Sequence, residues 1–588
     1  MTHPPRACHW TRRPRLFLAA TAAAALALVS CSSSGSQSTS SPTSSTTTSS
    51  PTSTSSSTTT AASGDSSASS ASSPESESSA GPVSSGGQPA AVNTGKELTW
   101  ALADTPRTLF APTNFSTGGS LVMSLIQGQI QNFDTKGALQ PGIATATKAV
   151  SPTEYQYTIG AGNRFSDGTP VTAADVAFSL NLHLDPKIAS QEASLMSSVK
   201  SVSAQGTIVT VTLSKPDSLW QYLPAALTGY VYQEKSVKAN LASYGTPQTL
   251  PVGSGPYKVS EYLPDSRIVL DRNPYYAGKQ TQFDKVTFQI IPDDQTRLLA
   301  LQSGKIDGTF DVPGSGFKKW SSLATVQTIP ELRWRGLTMD MTQKPFDDIH
   351  VRRALYYATD RAGITAGLAP GLGKVSTTIN DPAIFAGALD QATIDNGYQQ
   401  IAAFDYNVEK AKAELAQSSV PQGFETTLNV PADSATIGKI AQVVVQNWAA
   451  IGVKLKLNPM PGGPRFQVIL DHGPNLGVQI IGNTPDAPDP VELINQYFST
   501  TQAAKGGNNS SNLKDPAIDA LIEKAQSATD AKAQAQIALQ AQALASQQIP
   551  VIPILWGDSA MAVKKAWSAD APGAFYSSTV WINVLKPN

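Results

Sequence analysis

The 588-residue sequence predicts an α/β body of more than one lobe, set behind an N-terminal leader and a low-complexity segment. Three observations carry this reading. The length exceeds the roughly 250–300 residues at which single hydrophobic cores stop growing. From about Gly95 onward, β-branched runs alternate with apolar residues at helical spacing. No period of 20–50 residues recurs along the chain.

The leader has the pattern of an export signal. Arg6, Arg12, Arg13 and Arg15 form a basic start, and Leu16 to Val29 is apolar. That run is too short and wrongly flanked for a membrane span. It ends in Leu28-Val29-Ser30-Cys31, which resembles the lipobox of bacterial lipoproteins, where the cysteine is acylated and becomes the first residue. Residues 1–30 are therefore expected to be a lipoprotein signal peptide, and Cys31 the lipidation site. Removing it takes away four arginines and no acids, leaving 39 basic against 44 acidic residues. Arg12-Arg13 leaves open which export route is used. Residues 31–94 are nearly all Ser, Thr, Ala, Pro and Gly. Such a chain cannot bury enough apolar surface to offset its entropy and is expected to be a disordered tether. At about 60 residues it would span roughly 40–45 Å.

Within the body, Tyr155–Ile159 and Ile208–Leu213 read as strands. Thr172 and Asp175 form a capping-box pattern before a helix carrying Val176, Leu180 and Leu184. Val351, Ala354, Leu355 and Ala358 follow helical spacing, as do Ile437, Ile440, Ala441 and Val444. The latter helix runs to Trp448 and stops at Gly452, and Val453 to Leu457 alternates as a strand. Asp515-Pro516 reads as an N-cap and N1 proline opening a helix with Ile518, Leu521, Ile522 and Ala525 inward.

Composition narrows the chemistry. Lys and Arg total 43 against 44 Asp and Glu, so no basic groove for nucleic acid is expected. The only cysteines are Cys8 and Cys31, so the body has no disulfide, thiolate metal site or cysteine nucleophile. Phosphate-loop, dinucleotide, zincin and nucleophile-elbow strings are missing in their required contexts. Gly371-Leu372-Gly373-Lys374 reads as a turn, Asp347-Asp348 as a helix cap, and His183, His350 and His472 as surface or loop histidines. No enzyme, cofactor or metal site is expected.

Seven segments carry a different signal. They are Phe165 to Val176, Val252-Gly253-Ser254-Gly255-Pro256-Tyr257, Leu270 to Tyr276 around Asn273-Pro274, and Leu301 to Asp307. Pro345-Phe346-Asp347-Asp348 with Val351 to Leu355, Trp448 to Val453, and Pro485-Asp486-Ala487-Pro488-Asp489-Pro490 complete the set. In this order they resemble the family 5 extracellular solute-binding proteins, the peptide, nickel and oligosaccharide receptors of bacterial ABC importers. The resemblance implies a type II periplasmic-binding-protein-like fold: two lobes joined by a hinge, with an extra inserted domain on lobe I. Lobe I would combine 95–130, 250–340 and 560–588, the inserted domain 131–249, and lobe II 341–559.

It also implies function. Family members close their lobes over a solute and deliver it to a membrane permease powered by a separate ATPase. In peptide receptors of the family an aspartate ahead of an Asp-Pro pair holds the α-ammonium, and Asp486 takes that place. Dipeptide receptors carry an arginine after the proline equivalent to Pro431, and this chain has Ala432-Asp433-Ser434-Ala435 instead, which disfavours strict dipeptide binding. Other candidate cleft residues are Asn114, Phe115, Ser116, Thr117, Trp334, Arg335 and Asp340, each of which can equally serve packing. The expected function is thus a lipid-anchored, monomeric oligopeptide receptor on the outer face of the cytoplasmic membrane. The alternatives are the same fold binding a glycoside or metal chelate, and a non-transporting envelope scaffold.

Overall fold

The computed structural model describes residues 96–587, apart from Phe115, Asp433 and Asn475. Its frame is a mixed sheet of 11 strands. From one edge the order is Lys454–Met460, Glu425–Pro431, Val478–Asn483, Ala324–Met339, Val551–Lys564, Gly308–Thr309, Glu97–Leu102, Lys285–Ile290, Arg267–Arg272 and Tyr257–Leu263. Gly373–Val375 also pairs with Val551–Lys564. Parallel neighbours need a crossover, and helix Ala435–Ala449 supplies one between Glu425–Pro431 and Lys454–Met460.

Two long antiparallel strands, Ala324–Met339 and Val551–Lys564, serve both halves of this sheet. Residues 324–329 pair with 559–564 beside Gly308–Thr309, whereas 334–339 pair with 551–556 and with Val478–Asn483. Between these stretches the register jumps. Ile329 faces Ser559 and Arg333 faces Gly557, so three residues oppose Asp558 alone. Leu332 sits there at φ 55°, a conformation leucine rarely adopts. Such a bulge bends a strand and sharpens its twist, so the sheet turns here from one lobe into the other.

Each half has its own core. Trp100, Phe288, Phe310, Tyr576 and Trp581 pack together in the first, with the Trp100 and Trp581 rings 4.7 Å apart. In the second, helices Ile349–Ala358 and Ala435–Ala449 bury Val351, Leu355, Ile440, Val444 and Trp448 against the sheet. The Trp448 indole also donates to Thr359 Oγ1 at 3.0 Å. Helix ends follow the capping chemistry of the sequence. Asp348 accepts from the His350 N–H and Asp515 from the Ala517 N–H, and Gly452, at φ 85°, follows the end of Ala435–Ala449.

A separate four-stranded antiparallel sheet lies between Ala144 and Leu213, in the order Ala144–Ser151, Glu154–Ile159, Ile208–Leu213, Val199–Gln205. Helix Ala173–Leu184 covers it and opens with the full capping box: the Asp175 N–H donates to Thr172 Oγ1, and the Thr172 N–H to Asp175 Oδ2. The chain returns to the main sheet through Gly253 and Gly255. A Cβ at Gly253 would stand 1.9 Å from the Ile126 carbonyl oxygen, which only glycine permits. The Asn273 amide fixes the same crossing by donating to the Gly255 carbonyl at 2.8 Å.

One histidine corrects the sequence reading. His183 is 1 % exposed rather than at a polar helix edge. The buried stripe runs through Val176, Leu180 and His183, because seven residues on an α-helix return to the same face more closely than eight do. Burial pushes its imidazole down to about 4, so it is neutral at physiological pH. Among the described residues no helix is long and apolar enough to cross a membrane.

A candidate ligand cleft at the crossing strands

Strand alternation sets the first wall of the site. Along Ala324–Met339, Trp334 turns into the core of the second lobe, while Arg333 and Arg335 stay half-buried on the opposite face. Arg333 is spoken for. Its guanidinium contacts Glu331 Oε2 at 2.5 Å and Thr484 Oγ1 at 3.3 Å, and the Tyr576 hydroxyl donates to Glu331 Oε1 at 2.8 Å. Burial lifts the Glu331 carboxyl above its usual range even against the Arg333 charge. Among the described residues the Arg335 guanidinium has no hydrogen-bond or ion-pair partner; its burial and the neighbouring Arg333 pull it down to about 10. Gly482 lies beneath it, where a Cβ would meet Arg335 Cγ at 2.8 Å.

The second wall is the segment 485–492. Glu492, 2 % exposed, accepts the Asp486 N–H at 3.0 Å, the Ala487 N–H at 3.1 Å and the Gln496 amide at 3.1 Å. Those bonds fix the backbone that carries Asp486. Asp489 is likewise satisfied, accepting from the Val491 N–H at 2.7 Å, Ser218 Oγ at 2.8 Å and the Gln534 amide at 3.1 Å. The Ser218 bond ties the segment to the small-sheet domain, and Ala487 is buried in that domain's core. The Asp486 carboxylate, in contrast, has no hydrogen-bond or ion-pair partner among the described residues. It keeps a strip of accessible surface but is otherwise enclosed by protein, and that desolvation pushes it up to about 6.

Glu192 sits in the short turn Gln191–Ser194 of the small-sheet domain. Burial, and then the Asp486 charge, push its carboxyl up to about 8. A crevice with about 590 Å³ of free space, part of it open to solvent, is bordered by Ser194, Lys215, Asp217 and Ser218 of the small-sheet domain and by Asp489, Glu492 and Gln496.

The remaining sequence candidates fall elsewhere. Trp334 is fully buried, its ring edge-on to Tyr497 at 5.0 Å, so stacking on a solute is corrected to core packing. Asp340 closes a local turn, accepting from the Thr342 N–H and hydroxyl and from the Gln343 amide, which uses its carboxylate up. Ser116 caps helix Thr117–Ile126 through the Gly119 N–H, and Thr117 is exposed at its first position. Asn114 braces that cap, donating to the Ser116 carbonyl and to Ser120 Oγ. Its own carbonyl accepts from the Gln191 amide, so the 114–116 segment supports the turn that carries Glu192. Phe115 and Cys31 lie outside the described residues. Sequence reasoning missed Glu192 and Glu492. Glu492 reads as an ordinary acid in a first helical turn, and nothing near Glu192 in the sequence points to Asp486.

The family described as bacterial extracellular solute-binding proteins, family 5 Middle, has a sequence model that matches residues 138–505. The chain belongs to that family. It is a family of solute-binding receptors rather than enzymes, and its members work with ABC permease subunits. Among curated relatives, Heme-binding protein A of Haemophilus influenzae is 27% identical over 420 residues, covering 66% of this chain and 72% of that protein. The oligopeptide-binding protein OppA of Bacillus subtilis is 23% identical over 474 residues, covering 75% and 84%. Among solved structures, the binding protein AgaA of A. tumefacien R10 with agropinic acid superposes with TM-score 0.74 at 25% identity, over 84% of this chain and 99% of that one. AppA of Bacillus subtilis with a nonapeptide gives 0.72 at 21% identity, over 84% and 99%. The fold is therefore the two-lobed type II binding-protein architecture that the motif series implies.

Proposed function

We propose that this protein is the receptor of an ABC importer for oligopeptides, tethered to the outer face of the cytoplasmic membrane through acylated Cys31 and acting as a monomer. The observation that carries the peptide reading is a pair of opposite charges, Asp486 and Arg335, each half-buried and, among the described residues, without an ionic or hydrogen-bond partner, on segments that meet at the lobe crossing. Buried charges are costly when alone and favourable when paired. A peptide brings both partners, its α-ammonium for Asp486 and an anionic end or carbonyl for Arg335. Lobe closure excludes water, which strengthens both contacts. The names of relatives that bind oligopeptides and a nonapeptide support the same class. Permease and ATPase come from other chains, and no covalent bond is made or broken.

The test is native mass spectrometry of the full-length protein, before and after denaturation and refolding. Masses differing by amino-acid residues, lost on refolding and restored by a peptide library, are the expected result. Asp486→Asn should abolish the adducts. Adducts of a single opine-like or porphyrin mass, or none from any pool, would remove the peptide assignment.

A further inference from the structure

Two seams hold the small-sheet domain, and they differ in kind. To the first lobe it is joined through backbone: the Ser166 N–H donates to the Gly253 carbonyl at 2.8 Å, Val231 to Gly128 at 2.9 Å and Ile130 to Gly229 at 2.9 Å. To the second lobe, among the described residues, no backbone–backbone hydrogen bond crosses. The second lobe reaches over with three consecutive residues instead. Ala487 is fully buried and, among the described residues, is the one buried residue from the second lobe in the core that holds Tyr157, Trp220 and Val231. Pro488 approaches the hairpin turn at Gly137, where a Cβ would stand 3.6 Å from Pro488 Cγ. Asp489 accepts from Ser218 Oγ at 2.8 Å. On their own side these residues are anchored: the Ala487 N–H donates to Glu492 at 3.1 Å, and the Pro490 carbonyl accepts from the Asn380 amide at 2.8 Å. The crevice between Ser218 and Glu492 borders the same seam, so this contact is not packed throughout as a core is.

We propose that residues 487–489 form a clasp by which the second lobe closes onto the small-sheet domain, with Ser218 the positioning residue that holds it shut. The small-sheet domain is then the jaw opposite Asp486. This rests on the peptide-receptor reading of the same protein. The second lobe joins the rest of the sheet through strands Ala324–Met339 and Val551–Lys564, and their bulge lies at the crossing. Rotation there carries 487–489 out of the small-sheet domain as a unit, because Glu492 and Asn380 travel with them. What breaks is one apolar contact and one side-chain hydrogen bond; the backbone bonds of both bodies survive. Asp486 directly precedes the clasp, and its N–H donates to the same Glu492 carboxylate that holds Ala487. A solute that engages Asp486 therefore fixes the backbone that seats Ala487, and a seated clasp holds Asp486 in place. Solute and clasp favour the closed arrangement together, which is the differential contact that a ligand-driven closure requires.

The experiment is pulsed electron–electron resonance on the full-length chain. Cys8 and Cys31 are changed to serine, and nitroxides are attached through Lys200→Cys on the small-sheet domain and Lys524→Cys on the second lobe, both at exposed positions. This reference chain is expected to show a long and a short distance without solute, and the short one alone with saturating Ala-Ala-Ala. Ala487→Gln, whose side chain the seat cannot hold, should show the long distance under both conditions. Ser218→Ala removes a single hydrogen bond, so it keeps the fold where Ala487→Gln does not. It should lose most of the short-distance population without solute and bind Ala-Ala-Ala about tenfold or more weakly by calorimetry. Ser218→Thr, which keeps the hydroxyl, should restore both. A single short distance in the reference chain under every condition would mark a fixed domain contact and overturn the clasp. Reference distances and affinity in Ser218→Ala would overturn it as well. A reference chain that binds no Ala-Ala-Ala overturns the peptide reading; the clasp is then judged from the solute-free distances, where equal populations in reference and Ser218→Ala remove it too.

Discussion

Replacing Asp486 by asparagine should stabilise the solute-free protein while destroying its binding. Among the described residues the carboxylate has no hydrogen-bond or ionic partner, and burial moves it from its ordinary 3.8 up to about 6. Each unit corresponds to about 1.4 kcal/mol, so the ionised group costs about 3 kcal/mol as an upper figure, since part of it still touches solvent. The sign follows from linkage. Between 3.8 and about 6 the folded protein holds a proton that the unfolded chain gives up, so this site's contribution falls as pH rises through that window and is fully lost above it. The amide never ionises, so its advantage is absent near pH 4, grows through the window and is complete near pH 7.5. Removing the Asp486 charge also relieves Glu192, which adds to the effect in the same direction. Urea melts of wild type and variant at pH 4.5 and 7.5 measure this. A variant less stable at pH 7.5, or a difference independent of pH, would mean that the carboxylate has a structural partner, and the reasoning would fail.

Three further outcomes follow from the same geometry. Ser218→Ala deletes a donor to Asp489 across the domain seam; a hydrogen bond to a buried charged group is worth about 1.5–3 kcal/mol, so solute affinity measured by calorimetry should fall about tenfold or more. His183→Gln should flatten the acid limb of the stability curve: with its folded value lowered to about 4 from 6.5, wild type has this group's full stabilisation above 6.5 and loses about 3 kcal/mol as pH falls to 4, which denaturant midpoints across that range would reveal. Trp334→Ala should cost about 3–5 kcal/mol of stability in the same melts, as loss of a large core side chain does, rather than act through a solute contact.

What the sequence displays and what it hides divide along a physical line. Helix ends are local chemistry, so the capping box at Thr172 and Asp175 and the stop at Gly452 stand where composition puts them. The glycines at 253 and 255 are legible because a turn that passes within van der Waals reach of another backbone admits nothing else. His183 was misplaced because a single polar residue on a helix stripe carries no sign of which side of the boundary it lies on. Trp334 is ambiguous in the sequence between packing and solute contact because a strand alternates sides with each residue; it packs in the core, and it is the flanking arginines that face away from it. Asp486 stands in the Pro485–Pro490 string, whereas Glu192 acquires meaning only through a neighbour far along the chain, on a different domain.

The same division explains why the scaffold of this receptor is easier to read than its specificity. A scaffold residue is satisfied by its neighbours, and those neighbours leave patterns. A binding residue is one that the protein leaves unsatisfied. Glu492 and Asp489 are carboxylates like Asp486 and Glu192, yet among the described residues the first pair, fully buried, accept three donors each, and the second pair, half-buried, accept none. Arg333 and Arg335 differ in the same way on the opposite wall. Stability alone would fill or neutralise such groups, since an unpaired buried charge weakens the fold. Their retention at a lobe seam is intelligible if the missing partners arrive with the solute, and the gain on their arrival then becomes the free energy that favours the closed state over the open one.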